Sequence, residues 1–324
     1  MRTPALAFTL LSFAAPAVAG DIRFSLPIEC ELGETCFIQN YVDIDPSPAH
    51  KDAFCGPLSY DGHKGTDVRL ITTADLERGV AVLAAAPGVV TALRDGMADI
   101  ASNAPNAPEL NGKDCGNGLV IDHGGGWETQ YCHMRLGAMA VTKGDRVAAG
   151  TPLGQVGLSG RTEFPHIHMS IRKDGKVVDP FAPNAEPGSC STQAQDTLWA
   201  EPVAYQAGGL LDAGFAGEVP QFAQIKDGLP DPVTLPSDAG GLVLWGFAFG
   251  TRAGDTMAFS IAGPEGWRHE QVVEFGRAQA QLFRASGRRQ PQGGWPKGTY
   301  RGSVILSRGD QVLGEQQLEV TISR

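Results

Sequence analysis

The stretch "EFPHIHMSIRKDGKVV", Glu163–Val178, decides how the chain is read. In a strand, residues two apart point to the same side. His166, His168, Ser170 and Arg172 then share one face, while Ile167, Met169 and Ile171 share the other and can bury against a core. The Asp174-Gly175 pair is a hairpin turn signal, so the strand is expected to fold back on itself.

The same grammar extends outward. From about Phe54 to Pro180 runs such as "GVAVLAAAPGVVTAL", "GNGLVIDHGGGWETQYCHM" and "AVTKGDRVAAGTPLGQVGLSG" are short, β-prone and separated by glycine turns. That spacing predicts a mainly β, antiparallel domain. The glycine tract of "IDHGGGWETQYCH" marks a hairpin within it. Two pieces interrupt the pattern. Arg94 to Gly116 is too long for an ordinary hairpin loop, and loops of that length tend to be functional or disordered. Ala182 to Gln195 is rich in small and turn-forming residues and marks the edge of the domain.

Beyond it, "GLVLWGFAFG", "DTMAFSIAGP", "GTYRGSVILSRG" and "QQLEVTIS" again alternate apolar and polar residues. Strands of this kind predict an immunoglobulin-like β-sandwich over residues 195–324. No cluster of catalytic residue types falls there.

The chain has 324 residues, 42% hydrophobic and 19% charged, the composition of a folded globular protein. "MRTPALAFTLLSFAAPAVAG" has one Arg, an apolar run and an A-x-A arrangement at Ala17 and Ala19, the pattern of a secretory signal peptide over residues 1–19. Residues 20–50 then form an N-terminal extension, and residues 51–190 the first domain. After signal removal no segment is expected to span a membrane, and the location is periplasmic or secreted. Without Arg2 the balance is 25 Lys and Arg against 36 Asp and Glu, about −11. So acidic a surface excludes broad binding to nucleic acid, which depends on clustered cations.

Six cysteines in an exported chain suggest up to three disulfides, for which fifteen connectivities exist. Cys30 and Cys36 flank a short loop and could pair locally. Cys115 and Cys132 bracket the glycine hairpin and could meet, which leaves Cys55 with Cys190. No C-x2-C pair supports a zinc ribbon.

Taken alone, His166 and His168 fit structural histidines as well as ligands. "YDGHKGTDVRL" changes the balance, because His63 and Asp67 flank a glycine turn that runs into a strand. An imidazole and a carboxylate converging on one point make a zinc-type ligand set. "TQYCHMRLG" adds His133 at the end of the hairpin's second strand. His50, His123 and His269 read as structural or surface residues.

In that order, "GHKGTD", "YCHM" and "HIH", with "VTKGDRVAAGTPLGQVGLSG" before the last, resemble the lysostaphin-type (LytM-like) zinc metallopeptidases over roughly Tyr60 to Pro180. The resemblance implies a LytM-like peptidase domain with one zinc held by His63, Asp67 and His168. It matches the family's remaining active-site histidines to His133 and His166. It also implies hydrolysis of peptide bonds in peptidoglycan cross-links or stem peptides. Three protein ligands leave a position for water, as catalytic zinc sites require. No H-E-x-x-H glutamate is present, so His133 and His166 are the candidates for proton transfer. The chain departs from the family's usual Ser-Thr-Gly before the proline and Phe-Glu after H-x-H. Glu163, Phe164 and Ser170 stand there and are expected to alter the substrate groove. The other reading is a non-catalytic peptidoglycan-binding activator of another wall hydrolase. In either case the second domain could position the wall polymer, contact a protein partner or stabilise the enzyme, and the sequence does not choose among these roles.

Overall fold

A computed structural model describes residues 22–192, 196–232 and 234–323. The signal peptide expected over residues 1–19, and the domain edge placed at residue 195, lie outside the described residues. The fold is mainly β.

The first unit contains β1 (Cys36–Asn40), β2 (Thr66–Leu70), β3 (Ala81–Leu83), β4 (Gly88–Arg94), β5 (Asn117–Gly124), β6 (Trp127–Met134), β7 (Arg146–Val147), β8 (Pro152–Gln155), β9 (His166–Lys173) and β10 (Lys176–Val177). Eight of these form one antiparallel sheet in the order β1-β2-β9-β6-β5-β4-β7, with β10 continuing β9 through the Asp174-Gly175 turn. β3 and β8 pair separately. The strand of the opening stretch is therefore central. Its Ile167, Met169 and Ile171 are buried in a core shared with Ile38, Val68, Leu119 and Tyr131, as the alternation predicts. Each such aliphatic side chain stabilises the fold by roughly 1.5–3 kcal/mol.

The segment expected to be an extension is part of this body. It supplies β1, which pairs with β2, and it buries Phe24 and Ile28 in the core. The long Arg94–Gly116 segment is held by two carboxylates. Asp99 accepts from the amides of Leu136 (2.9 Å) and Leu158 (2.7 Å), and Asp95 accepts from that of Gly137. Ser102 N donates to Thr162 O at 2.7 Å, which lays the segment along the turn leading into β9.

The second unit contains β11 (Gly209–Ala216), α1 (Phe222–Asp227), β12 (Thr234–Pro236), β13 (Gly241–Thr251), β14 (Thr256–Ala262), β15 (Arg268–Glu274), β16 (Gln279–Arg289), β17 (Gly298–Arg308) and β18 (Gln311–Ser323). A sheet ordered β11-β13-β16 accompanies another ordered β12-β18-β17-β14-β15, in which only β12 beside β18 is parallel. Kinship with immunoglobulin domains stays an expectation.

β13 is buried along its whole length, and its period of two shows why. Leu242, Leu244 and Ala248 face the core of the second unit, while Trp245, Phe247 and Phe249 join the core of the first. The two units thus share a layer of sheet. Disulfides join Cys30 to Cys36, Cys55 to Cys190 and Cys115 to Cys132. Among the described residues, no helix is long and apolar enough to cross a membrane.

Candidate active site

Strand register assembles the site. Asn40 on β1 stands opposite Asp67 on β2, Asp67 opposite His168 on β9, and His168 opposite Cys132 on β6. His166 and His168 share one face of β9, so both rings reach the same side of the sheet. His63 enters from the turn before β2. All five histidine and aspartate positions singled out from the sequence, His63, Asp67, His133, His166 and His168, meet in one cluster.

Asp67 Oδ1 lies 2.7 Å from His168 Nδ1, 3.1 Å from His63 Nε2 and 3.5 Å from His166 Nε2. His63 Nε2 and His168 Nδ1 are 3.1 Å apart. The ligating atoms of His63, Asp67 and His168 all fall within 4.8 Å of one another. The His133 and His166 rings lie side by side, 4.7 Å between centroids.

The outer nitrogen of each ring is bound to an acceptor, and this assigns the tautomers. His63 Nδ1 donates to Tyr41 O at 2.6 Å. His168 Nε2 donates to Ser170 Oγ at 3.0 Å, because the Ser170 hydroxyl itself donates to Lys64 O at 2.6 Å. His166 Nδ1 donates to Phe164 O at 3.0 Å, and His133 Nδ1 to Ser159 O at 2.8 Å. A neutral ring so held turns a lone pair inward. Asn40 Nδ2 donates to the outer oxygen of Asp67 at 3.0 Å, which leaves Oδ1 facing the cluster.

Two imidazole lone pairs and a carboxylate oxygen aimed at one point repel unless a cation lies between them. Zinc bound at its usual distances sets tetrahedral ligand atoms roughly 3.3 Å apart. The 2.7–3.1 Å separations here are close to that, so the donor set fits zinc in number, type and spacing. The outer hydrogen bonds are of the kind that orient metal-bound histidine.

The electrostatics follow from burial. Desolvation would raise the Asp67 carboxyl, but the charges of His63 and His166 and the hydrogen bonds from His166 and His168 outweigh it and hold the group well below its ordinary range. Burial pushes His63 down, yet the charge and hydrogen bond of Asp67 leave it raised overall. His168 is lowered, by burial first, and His133 is lowered far more, by burial and then by the charges of His166 and His168. His133 is therefore neutral at ordinary pH.

His133 reaches the cluster through an unusual backbone. Its φ is 65°, in the left-handed region that costs a non-glycine residue about 1–3 kcal/mol. The Cys115–Cys132 disulfide, the bond from His133 N to Cys115 O (2.8 Å) and that from Gly157 N to His133 O (2.9 Å) hold it there. The pairing of β5 with β6 slips in register between Asn117 and Leu119, beside this point. Such a bulge re-aims a side chain.

Sequence reading missed several contributors. Asn40 and the carbonyls of Tyr41 and Ser159 carry no motif. A Cβ at Gly65 would sit 2.7 Å from the His168 ring, so that glycine is needed for close approach as well as for the turn. Tyr60, 52% exposed, lies at the rim with its ring 4.4 Å from that of His63. Ser170 and Phe164, expected to alter the substrate groove, touch His168 and His166 respectively. His123 bonds Pro87 O and Thr129 Oγ1, His269 bonds Ser286, and His50 is exposed, so these three lie outside the cluster.

Comparison with known proteins adds the family. The peptidoglycan DD-endopeptidase ShyA of Vibrio cholerae is 33% identical over 90 residues, 28% of this chain and 19% of that protein. The DD-carboxypeptidase/endopeptidase Mpg of Neisseria meningitidis is 39% identical over 67 residues, 21% of this chain and 15% of that protein. The chain thus spans less than a fifth of the length of these relatives. Among solved structures, the catalytic domain of the prophage-encoded M23 protein EnpA of Enterococcus faecalis, in mutant form, aligns with a TM-score of 0.31 and 21% identity over 54% of this chain and 96% of that one. A zinc-containing peptidase of Vibrio cholerae aligns with a TM-score of 0.29 and 24% identity over 44% of this chain and 39% of that one. Residues 61–180 match the profile of Peptidase family M23, and that matched segment contains all five residues of the cluster.

Proposed function

We propose that this chain is an exported, zinc-dependent endopeptidase that hydrolyses peptide bonds in the cross-links or stem peptides of peptidoglycan. The observation that carries this reading is the aim of the His63, His166 and His168 nitrogens at Asp67 Oδ1, with the His133 ring beside that of His166 and each of the four rings fixed by a hydrogen bond on its far side. M23 peptidases are zinc enzymes, and of the relatives named above ShyA is a peptidoglycan DD-endopeptidase and Mpg a DD-carboxypeptidase/endopeptidase. The family also contains inactive members, but retention of all five residues favours an enzyme over a binding protein that activates another hydrolase. The three disulfides suit an oxidising compartment outside the cytoplasm.

His63, Asp67 and His168 would hold one zinc. When bound, zinc supplies a Lewis acid for the scissile carbonyl and acidifies water. His133 and His166 do the proton work. Each already donates through Nδ1, so each can accept a proton only at Nε2, the atom that faces the cluster. Protonated there, the ring can hydrogen-bond a developing oxyanion or return the proton to the leaving amine. Tyr60 and the pinned Arg94–Gly116 segment flank the cluster and would line the path of an extended peptide.

Mass analysis of muropeptides released from defined cross-linked peptidoglycan tests the reading and names the bond. Wild type should release new amine termini and bind about one zinc per chain, while His168→Ala should do neither. Identical products from both proteins would sink it.

A further inference from the structure

The second unit reaches the cluster through a stack of side chains. Phe247 on β13 is fully buried and belongs to the face of that strand that packs on the M23 domain. The guanidinium carbon of Arg69 lies 5.4 Å from the Phe247 ring centroid and 4.9 Å from that of Phe164. Phe164 in turn stacks on His166, with centroids 4.6 Å apart and planes inclined by 29°. The order is Phe247, Arg69, Phe164, His166.

Each layer is fixed. Arg69 is 1% exposed, and among the described residues it forms no ion pair with a carboxylate. Its Nε donates to Leu70 O (2.8 Å), one terminal nitrogen to Ile71 O (2.9 Å) and the other to Gln39 Oε1. A guanidinium spends its N–H groups on hydrogen bonds at its edge and can still meet aromatic rings by cation–π attraction, which is strongest when desolvated. Arg69 also stands directly opposite His166 in the pairing of β2 with β9. On the far side of the stack, Phe222 of α1 and Phe283 of β16 are stacked on each other, and Phe222 meets Phe247 edge to face. Phe164 therefore holds His166 twice, by its ring and by the carbonyl that accepts from Nδ1.

We propose that Phe164 is a positioning residue for His166, and that the second unit sets its placement through Phe247 and Arg69. On this view β13 is a structural part of the active site, and a substrate-binding role is not needed to explain its presence. The inference rests on the assignment of His166 to proton transfer made above. Misplacement of a reacting group by about 1 Å can cost up to 100-fold in rate, so a loosened ring should be visible in kcat.

The test uses the full chain and the variants Phe164→Ala, Phe164→Tyr and Phe247→Leu. Zinc content, kcat and KM on cross-linked peptidoglycan fragments are measured together with the 15N spectrum of the histidine rings at one pH. Phe164→Ala should lower kcat about tenfold, with KM within about twofold and zinc unchanged, the signature of lost transition-state geometry. Phe164→Tyr should restore most of the rate by restoring the ring. Phe247→Leu should lower kcat by about two- to fivefold although it lies behind Arg69, away from substrate. In the ring spectrum, the Nδ1–H tautomer of His166 should be single in wild type and exchange-broadened in Phe164→Ala. A loss carried by KM, or an unchanged kcat in Phe247→Leu, overturns the proposal. If wild type hydrolyses no peptidoglycan, the functional reading fails, and an unaltered His166 tautomer in Phe164→Ala then overturns the positioning role independently.

Discussion

His63 Nε2 and His168 Nδ1 face each other at 3.1 Å, and neither can donate to the other while its ring is neutral, because the opposite nitrogen of each ring is already the donor. With Asp67 Oδ1 beside both, the arrangement is stable only around positive charge. Two protons can supply that charge, and so can one divalent cation. Removal by a chelator of a divalent ion held there should therefore be coupled to proton uptake by the cluster, because protons must take its place. Zinc affinity measured by chelator competition is expected to rise with pH over the histidine range. An affinity independent of pH between 5 and 8 would contradict the assigned tautomers.

The outer hydrogen bonds yield a second expectation. Ser170→Ala frees His168 Nε2, and Asn40→Ala frees the outer oxygen of Asp67, yet neither change touches an inward atom. Loss of such partners typically weakens metal binding by about 10- to 100-fold. Both variants should keep their folded circular dichroism spectra and lose zinc at lower chelator concentrations than wild type. Wild-type retention in both would remove these two residues from the site.

The two histidines of the H-x-H stretch should separate by role. His168→Ala removes a ligand and should abolish zinc binding and activity together. His166→Ala and His133→Ala remove inward Nε2 atoms outside the group of three donors, so zinc should stay near one per chain while kcat falls by about 100-fold or more. Equal loss of metal in all three variants would show that the division is wrong.

How far these features could be seen in the chain depends on their range along it. The alternation of Ile167, Met169 and Ile171 against His166 and His168 is local, and so is the glycine turn between His63 and Asp67, so the strand, its two faces and the candidate ligands are legible. Tyr41 and Ser159 act through carbonyls, which any residue could supply, and the Asn40 amide meets Asp67 only through strand register, so none of the three carries a signature. The left-handed backbone at His133 depends on a disulfide and a bulge formed with a neighbouring strand. By sequence alone β13 fits an ordinary sandwich strand. Burial on both faces depends on what lies across the interface, and a run as apolar as "GLVLWGFAFG" signals it only once the neighbour is known.

The Cys115–Cys132 disulfide closes a strained corner next to His133, so its loss should affect catalysis before it affects metal. A loop of this length contributes about 3 kcal/mol to stability in the chain-entropy account. The double variant Cys115→Ser with Cys132→Ser should unfold at lower denaturant, keep zinc through His63, Asp67 and His168, and lose kcat as His133 relaxes from φ 65°. A destabilised variant with full kcat would show that Cys115 O and Gly157 N hold His133 without the bridge.

Asp179 gives a pH dependence of stability with a definite sign. It is 8% exposed; Oδ1 accepts from Phe181 N at 2.9 Å, while Oδ2 is buried with no hydrogen-bond partner among the described residues. Burial, with a smaller push from Asp52, raises its carboxyl from an ordinary 3.8 to about 7. The folded state therefore binds this proton more tightly than the unfolded chain. The contribution to stability is fully present below about pH 4 and is lost as pH rises through about 7, because the charged carboxylate must then stay desolvated with only the Phe181 amide to offset its burial. A shift of this size corresponds to roughly 4 kcal/mol, an upper figure for a site that can relax. Asp179→Asn keeps the bond to Phe181 and carries no charge. Urea unfolding at pH 5 and pH 8 should show wild type losing stability between them and the variant losing much less, with the variant the more stable at pH 8. Parallel curves for the two proteins would mean that Asp179 is ionised and solvated in the folded state.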